Sequence, residues 1–172
     1  MNILLETERL YFREFTMDDA EMLFEMHQDP EITKYVGDAV PWDTLELTQR
    51  ILGEFILPQY ENKIGRWAVY VKENNLFIGW CGLKKVDNEY DLGYRFIQKY
   101  WGRGYATEAA AAVLKYGLEL GLEQIMGRAA VANEASVNVL KKIGMTFEKY
   151  YVDEDAMGES VKYIVVTTYK SS

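Results

Sequence analysis

The chain has 172 residues, 49% hydrophobic and 27% charged, the balance of a folded globular domain rather than a disordered segment. Its formal charge of −8 disfavours a nonspecific nucleic-acid or anionic-membrane binder, which would need a basic surface, and is compatible with a cationic substrate such as an amine. No apolar run approaches the ~20 residues needed to cross a bilayer, residues 1–9 carry acids where a signal peptide is basic, and the single Cys81 excludes an internal disulfide and fits a reducing cytoplasm.

Leu10–Phe15 reads as a first strand, rich in aromatic and β-prone residues. Thr16-Met-Asp-Asp19 then resembles a capping box with Asp in the fourth place. Ala20, Leu23, Phe24 and His27 fall at i, i+3, i+4 and i+7 of an amphipathic helix, which Pro30 is expected to end. A second helix is expected from about Thr44 to Phe55, after Pro41 and before Pro58. From Gly65 the period changes to two. Trp67, Val69 and Val71 share a strand face, Asn74-Asn75 supplies a turn, and Leu76–Leu83 returns antiparallel. Asp87-Asn88 turns the chain into a Tyr90–Ile97 strand. An Ala-rich helix follows over Ala106–Leu120, with Gly121 as its C-terminal cap. A strand (Gln124–Val131), a helix (about Glu134–Ile143, closed by Gly144) and strands around Thr146–Val152 and Ser160–Thr168 complete the chain. This order predicts a mixed α/β layer architecture, and the absence of repeats, low-complexity tracts or linkers predicts one domain over residues 1–172.

The most informative stretch runs from Tyr90 to Ala109. A strand breaks at Trp101, passes Gly102 and Gly104, and enters a helix. A glycine-bearing turn at a helix N-terminus offers unpaired backbone N–H groups and the positive end of the helix dipole to an anion. A plain strand-to-helix connection is the alternative. The spacing is neither a P-loop nor Gly-x-Gly-x-x-Gly, because position 107 is Thr. It argues for a phosphate-bearing ligand outside the mononucleotide and dinucleotide folds.

Trp101-Gly-Arg-Gly104-Tyr-Ala106 resembles the Gln/Arg-x-x-Gly-x-Gly/Ala acyl-CoA signature of the GNAT superfamily of N-acetyltransferases, with Trp at the first place. Asn133-Glu-Ala-Ser136, continuing to Lys142-Ile-Gly144-Met145, is similar to that family's Asn-x-x-Ser…Lys-x-Gly-Phe segment. Thr7-Glu-Arg9-Leu-Tyr-Phe-Arg13 resembles the opening strand of the branch that acetylates N-terminal amines of ribosomal proteins. The resemblance implies a single-domain GNAT-like fold: a mixed, mostly antiparallel sheet flanked by helices, with a splayed strand pair holding acyl-CoA. The implied reaction is transfer of an acetyl group from acetyl-CoA to a primary amine, possibly at a protein N-terminus, with no metal.

Under that resemblance the backbone from Gly102 to Thr107, including Arg103, Tyr105 and Ala106, holds the pyrophosphate, with Trp101 at its entry. Main-chain groups near Tyr94 and Phe96 pair with the pantetheine, and one N–H polarises the thioester; such a donor contributes roughly 3 kcal/mol in hydrolases. Asn133 is the pantetheine-binding amide, or a helix N-cap, or both. Ser136 is the candidate for the group facing the departing sulfur, since the Tyr that many members carry seven residues after the Asn is Leu140 here. Asn138 and Lys142 share a helix face and touch CoA or solvent. Asp91 or Glu89, on one strand face, serves as base if burial raises its pKa. Tyr35, Trp42 and Trp67 with the late hairpin would shape the acceptor cleft. Asp153, Glu154 and Asp155 form an acidic rim or an ordinary turn. His27 reads as a core residue and Cys81 as a small buried hydrophobe. Acceptors left open are a protein N-terminus, a polyamine, an amino acid and an aminoglycoside; the competing class is a non-catalytic acyl-CoA binder. The protein is expected to be a monomer or homodimer without nucleic-acid or membrane partners.

Overall fold

The computed structural model describes residues 2–34, 42–152 and 159–166. In chain order these form β1 (Leu5–Glu6), β2 (Leu10–Glu14), α1 (Ala20–His27), α2 (Pro30–Thr33), α3 (Leu45–Ile51), β3 (Gly65–Val71), β4 (Leu76–Val86), β5 (Glu89–Phe96), α4 (Tyr105–Glu119), β6 (Gln124–Ala130), α5 (Glu134–Lys142), β7 (Thr146–Val152) and β8 (Glu159–Val166). The strands make one open sheet in the order β1-β2-β3-β4-β5-β6-β8-β7. The β5–β6 pair is parallel and the others are antiparallel.

The period-two pattern decides which face meets which helices. Trp67, Val69, Cys81, Leu83 and Leu92 pack with Ala109, Ala110 and Val113 of α4. Ala68 and Trp80 look the other way, into a second core with Leu23, Ile51, Leu52 and Ile56 of the N-terminal helices. The small residues of α4 let it lie close to the sheet: a Cβ at Gly117 would come within 2.7 Å of Ile125 Cδ1 and 3.0 Å of Leu83 Cδ1. Gly121 takes φ +83°, and the Leu122 N–H donates to the Gly117 carbonyl, the expected left-handed helix end. At the capping box, the Thr16 N–H donates to the Asp19 carboxylate at 2.8 Å.

Three expected elements differ. α1 stops at His27, ahead of Pro30 as expected, with Asp29 extended before the proline; what was not expected is that Pro30 itself opens α2, with Asp29 accepting from the Glu31 N–H at 3.0 Å. Proline has no N–H to lose in a first helical turn. Pro58 fails to stop the second helix, which runs on from α3 through a π-helical stretch, Leu52–Ile56, into a 3-10 stretch, Leu57–Asn62. Trp67 is fully buried against Tyr116 in the α4-facing core, so it does not shape a cleft. No helix among the described residues is long and apolar enough to cross a membrane.

Candidate active site

β5 and β6 pair only at Tyr90–Ile125 and Asp91–Met126. Beyond Asp91 the strands splay, and a cleft of about 1120 Å³ opens between them. Its lining joins the end of β5 (Asp91, Gly93, Tyr94, Phe96), the β5–α4 loop and first turn of α4 (Trp101, Gly102, Gly104–Thr107) and α5 (Asn133, Ser136, Asn138, Lys142). Nearly all the residues singled out from the sequence therefore meet in one place. Glu89 and Arg103 are not on that lining.

Gly102 and Gly104 have φ of +75° and +80°, and Gly104 is the N-cap of α4. Left-handed backbone at both positions turns the chain into α4, whose first turn, with the N–H groups that a helix start leaves unpaired, lies on the cleft lining, which suits an anionic ligand. Trp101 is 47% exposed, and its indole N–H donates to the Phe96 carbonyl at 2.7 Å. That bond ties the loop to the end of β5 and engages a main-chain group expected to serve the pantetheine.

Arg103 contributes its carbonyl rather than its charge: it accepts from Arg9 Nη1 at 2.9 Å. This belongs to a clamp that sequence reasoning missed. The Arg9 guanidinium lies 4.5 Å from the Tyr105 ring and pairs with Glu108 at 2.7 Å. Glu108 also accepts from the Arg9 N–H at 2.9 Å and the Thr7 hydroxyl at 2.6 Å. Burial alone would raise the Glu108 carboxyl, but the bonds from Thr7 and Arg9 together outweigh it and hold the carboxyl below its usual range. Thr7-x-Arg9 is thus a brace for the anion loop. The signal was present in the opening block but pointed to no chemistry without the fold. Replacing Arg9 by Ala should weaken CoA binding about tenfold, the scale of a lost charge-assisted bond, with little change in kcat at saturating acetyl-CoA. Calorimetry with CoA checks the first part and steady-state kinetics the second.

Asn133 is the N-cap of α5, its side-chain oxygen accepting from the Ser136 N–H at 3.2 Å, and it lines the cleft as well. Ser136 Oγ lies 2.8 Å from the Tyr94 hydroxyl, which also donates to the Ser136 carbonyl at 3.0 Å. Tyr94 was expected to offer only main chain, yet its phenol crosses the wedge to α5. Burial pushes that phenol well above its ordinary pKa, opposed in part by the Ser136 bond, so it stays protonated near neutrality. Leu140, at the place where many family members carry a Tyr, brings no hydroxyl and is fully buried in the core.

The two carboxylates part company. Asp91 is 19% exposed and accepts from Arg128 at 2.9 Å. Burial raises its pKa; the Arg128 pair, with Lys84 and Arg66 nearby, opposes that shift only in part. Glu89, at the start of β5 on the side away from the splay, is engaged by Lys162 at 2.8 Å and Gln124 at 2.6 Å. The strand-face spacing was right; the splay beginning at Asp91 separates the two. His27 is buried, stacked on Trp42 at 3.9 Å with Nδ1 on the Leu23 carbonyl, and Cys81 is a buried thiol whose pKa burial pushes up. Both are core residues.

The cleft is also lined by Trp42, Ile51, Phe55 and Ile56 from the N-terminal segment and by Tyr151 and Ser160 from β7 and β8. Phe55 and Ile56 belong to the π-helical stretch, a form found often at functional sites. Trp42 is there as expected. Tyr35 and residues 153–155 lie outside the described residues.

A family model described as an acetyltransferase (GNAT) domain matches residues 9–146. The chain is 30% identical over 149 residues to an uncharacterized N-acetyltransferase of Bacillus subtilis, YoaA, with 84% of each chain covered. A GNAT-family acetyltransferase structure from Bacillus anthracis superposes with a TM-score of 0.78 at 29% identity, covering 94% of this chain and 97% of that one. Ribosomal-protein-S5-alanine acetyltransferase from Vibrio fischeri shares the fold, with a TM-score of 0.81 at 17% identity over 96% and 97% of the two chains. The wedge, the glycine-bearing helix start and the match over most of the sequence have one reading: the chain belongs to the GNAT family and is an acetyl-CoA-dependent N-acetyltransferase.

Proposed function

We propose that Asp91 accepts the proton of a primary amine as its nitrogen attacks the thioester of acetyl-CoA, with a protein N-terminal amine as the first acceptor class to test. The observation that carries this is Asp91 itself: a carboxylate of raised pKa at the point where the strands part, on the lining of the cleft. A base poised nearer neutrality accepts a proton more effectively than an ordinary Asp.

The residues present fit acetyl-CoA as co-substrate. Gly102–Thr107 would hold the pyrophosphate, Asn133 and the β6-facing edge of β5 the pantetheine, and Asn138 and Lys142 the outer part of the ligand. The co-substrate supplies an activated acetyl carbon and a thiolate leaving group. The nitrogen lone pair forms the new C–N bond, the C–S bond breaks with its electron pair on sulfur, and the proton lost by nitrogen goes to Asp91. Of the Tyr94–Ser136 hydroxyl pair, Ser136 would turn its hydrogen to the departing sulfur while the Tyr94 phenol, bonded to the Ser136 carbonyl, positions it; as a weak acid the hydroxyl stabilises the thiolate by hydrogen bonding.

Thiol release from acetyl-CoA, followed against peptides of varied N-termini, polyamines, amino acids and aminoglycosides, tests the reading. Turnover is expected with one class. Tyr94→Phe and Ser136→Ala should each lower kcat by roughly five- to thirtyfold, as loss of one hydrogen bond to a charged group does, while CoA affinity holds. Rates matching wild type in both variants would remove them from the mechanism.

A further inference from the structure

One primary amine of the cleft takes no part in the reaction so far, and it belongs to the protein. Among the described residues the lining holds two lysines, Lys84 of β4 and Lys142 at the end of α5. Lys84 stands beside the proposed base: it pairs with Asp91 across the antiparallel β4–β5 ladder. Residues paired in this way project from the same face of a sheet, their Cβ atoms about 4.5–5.5 Å apart. Lys85, the next residue, pairs with Tyr90 and so projects from the opposite face.

The Lys84 ammonium has no fixed partner. Asp91 is bonded to Arg128 at 2.9 Å, and Lys84 makes no hydrogen bond or ion pair with any described residue. Lys162 shows the contrast, since Glu89 and Glu148 hold its ammonium at 2.8 and 3.0 Å. Lys84 is exposed, and a flexible four-carbon stem carries its nitrogen. Partial desolvation in the cleft, with Arg66 and Arg128 nearby, lowers its pKa against the opposing effect of Asp91. A lysine with a lowered pKa holds more of the neutral, nucleophilic amine at a given pH. The sheet thus fixes a primary amine next to the carboxylate that takes the proton of an incoming one.

We infer that Lys84 is itself an acceptor: with acetyl-CoA bound and no other amine in the cleft, the protein transfers the acetyl group to its own Lys84 Nζ. This rests on the acetyl-transfer reading above. The ammonium first releases one proton to water. The neutral nitrogen then forms the C–N bond with the acetyl carbon, and the C–S bond breaks with its electron pair on sulfur. The proton that nitrogen sheds as the amide forms passes to Asp91. The products are an acetylated Lys84 side chain and the CoA thiolate.

Peptide mapping by mass spectrometry, on the purified protein incubated with acetyl-CoA and no added amine, tests this. Lys84 should gain an acetyl group at least about tenfold faster than Lys85 or Lys115, exposed lysines that are not held at the site. Plain chemical acetylation is separated by the kinetics. The Lys84 rate should saturate with acetyl-CoA, fall when free CoA is added, and stay unchanged per molecule when the protein is diluted at saturating acetyl-CoA. Lys84→Arg should abolish the fast labelling while calorimetry shows unchanged CoA affinity. Labelling of Lys84 no faster than Lys85, a rate proportional to protein concentration, or a rate insensitive to free CoA would overturn the inference. Thiol release to one of the amines named above, with Lys84 unlabelled when no amine is added, would also overturn it and leave the acetyltransferase reading standing. Fast labelling of Lys84 that persists at the wild-type rate in Asp91→Asn would support Lys84 as an acceptor and retire Asp91 as the base.

Discussion

Asp91→Asn should lower kcat/KM for the amine by roughly 10²–10⁴-fold, the contribution of a positioned general base. The amide keeps the shape of the carboxyl and can still accept from Arg128, so the loss would report proton acceptance rather than collapse of the β5–β6 wedge. Two further readouts sharpen the test. In the wild type the acid limb of kcat/KM should lie above the ordinary Asp value of ~3.9, because burial raises the Asp91 carboxyl; in the variant this limb should disappear. Stability gives the second. A carboxyl with a raised folded-state pKa binds its proton more tightly folded than unfolded, so its contribution to stability is fully present below the unfolded pKa and declines as pH rises through the folded one. At neutral pH the charged Asp91 is therefore a burden on the fold, and Asp91→Asn should melt no lower than wild type. An unchanged rate in a well-folded variant would send the search for the base to ordered water.

Gly104→Val should weaken CoA binding by roughly one to two orders of magnitude, from the 1–3 kcal/mol that a side chain pays in left-handed backbone. With φ of +80° at Gly104, a β-branched residue must either hold that strain or swing the first turn of α4 away from the anion. Space is tight as well: a Cβ there would come within 3.3 Å of the Arg9 guanidinium, loosening the brace that holds the loop. Calorimetry with CoA measures the effect. Gly102→Ala is the informative companion, since no atom lies within 4 Å of a Cβ at that position and only the backbone term applies. Its loss should be the smaller of the two. Equal affinity of Gly104→Val and wild type would place the phosphate elsewhere.

Strand and helix order were legible because the periods are clean: Trp67, Val69 and Val71 at spacing two, and the Ala-rich run of α4 closed by Gly121. Prolines were legible only in part: α1 does end before Pro30, but Pro30 and Pro58 each sit in an opening turn where the missing N–H is harmless, so a short helix follows the first and the second helix runs through the other. On the cleft side, the glycines and Asn133 could be read from local backbone chemistry, which short segments determine. The Tyr94–Ser136 bond spans 42 residues and the Glu89–Lys162 pair 73, and such partnerships depend on strand order rather than on spacing.

The brace between Thr7, Arg9 and the start of α4 has a consequence for how the protein comes to be able to bind its co-substrate. The bonds joining Thr7 to Glu108 and Arg9 to Arg103 close loops of 101 and 94 residues, contacts whose entropic cost falls due only after the intervening chain has been ordered. Competence to hold CoA is thus coupled to docking of the amino-terminal hairpin. By mass action, a ligand that prefers the docked form stabilises it, so saturating CoA should slow amide hydrogen exchange in β1 and β2, along the whole amino-terminal hairpin.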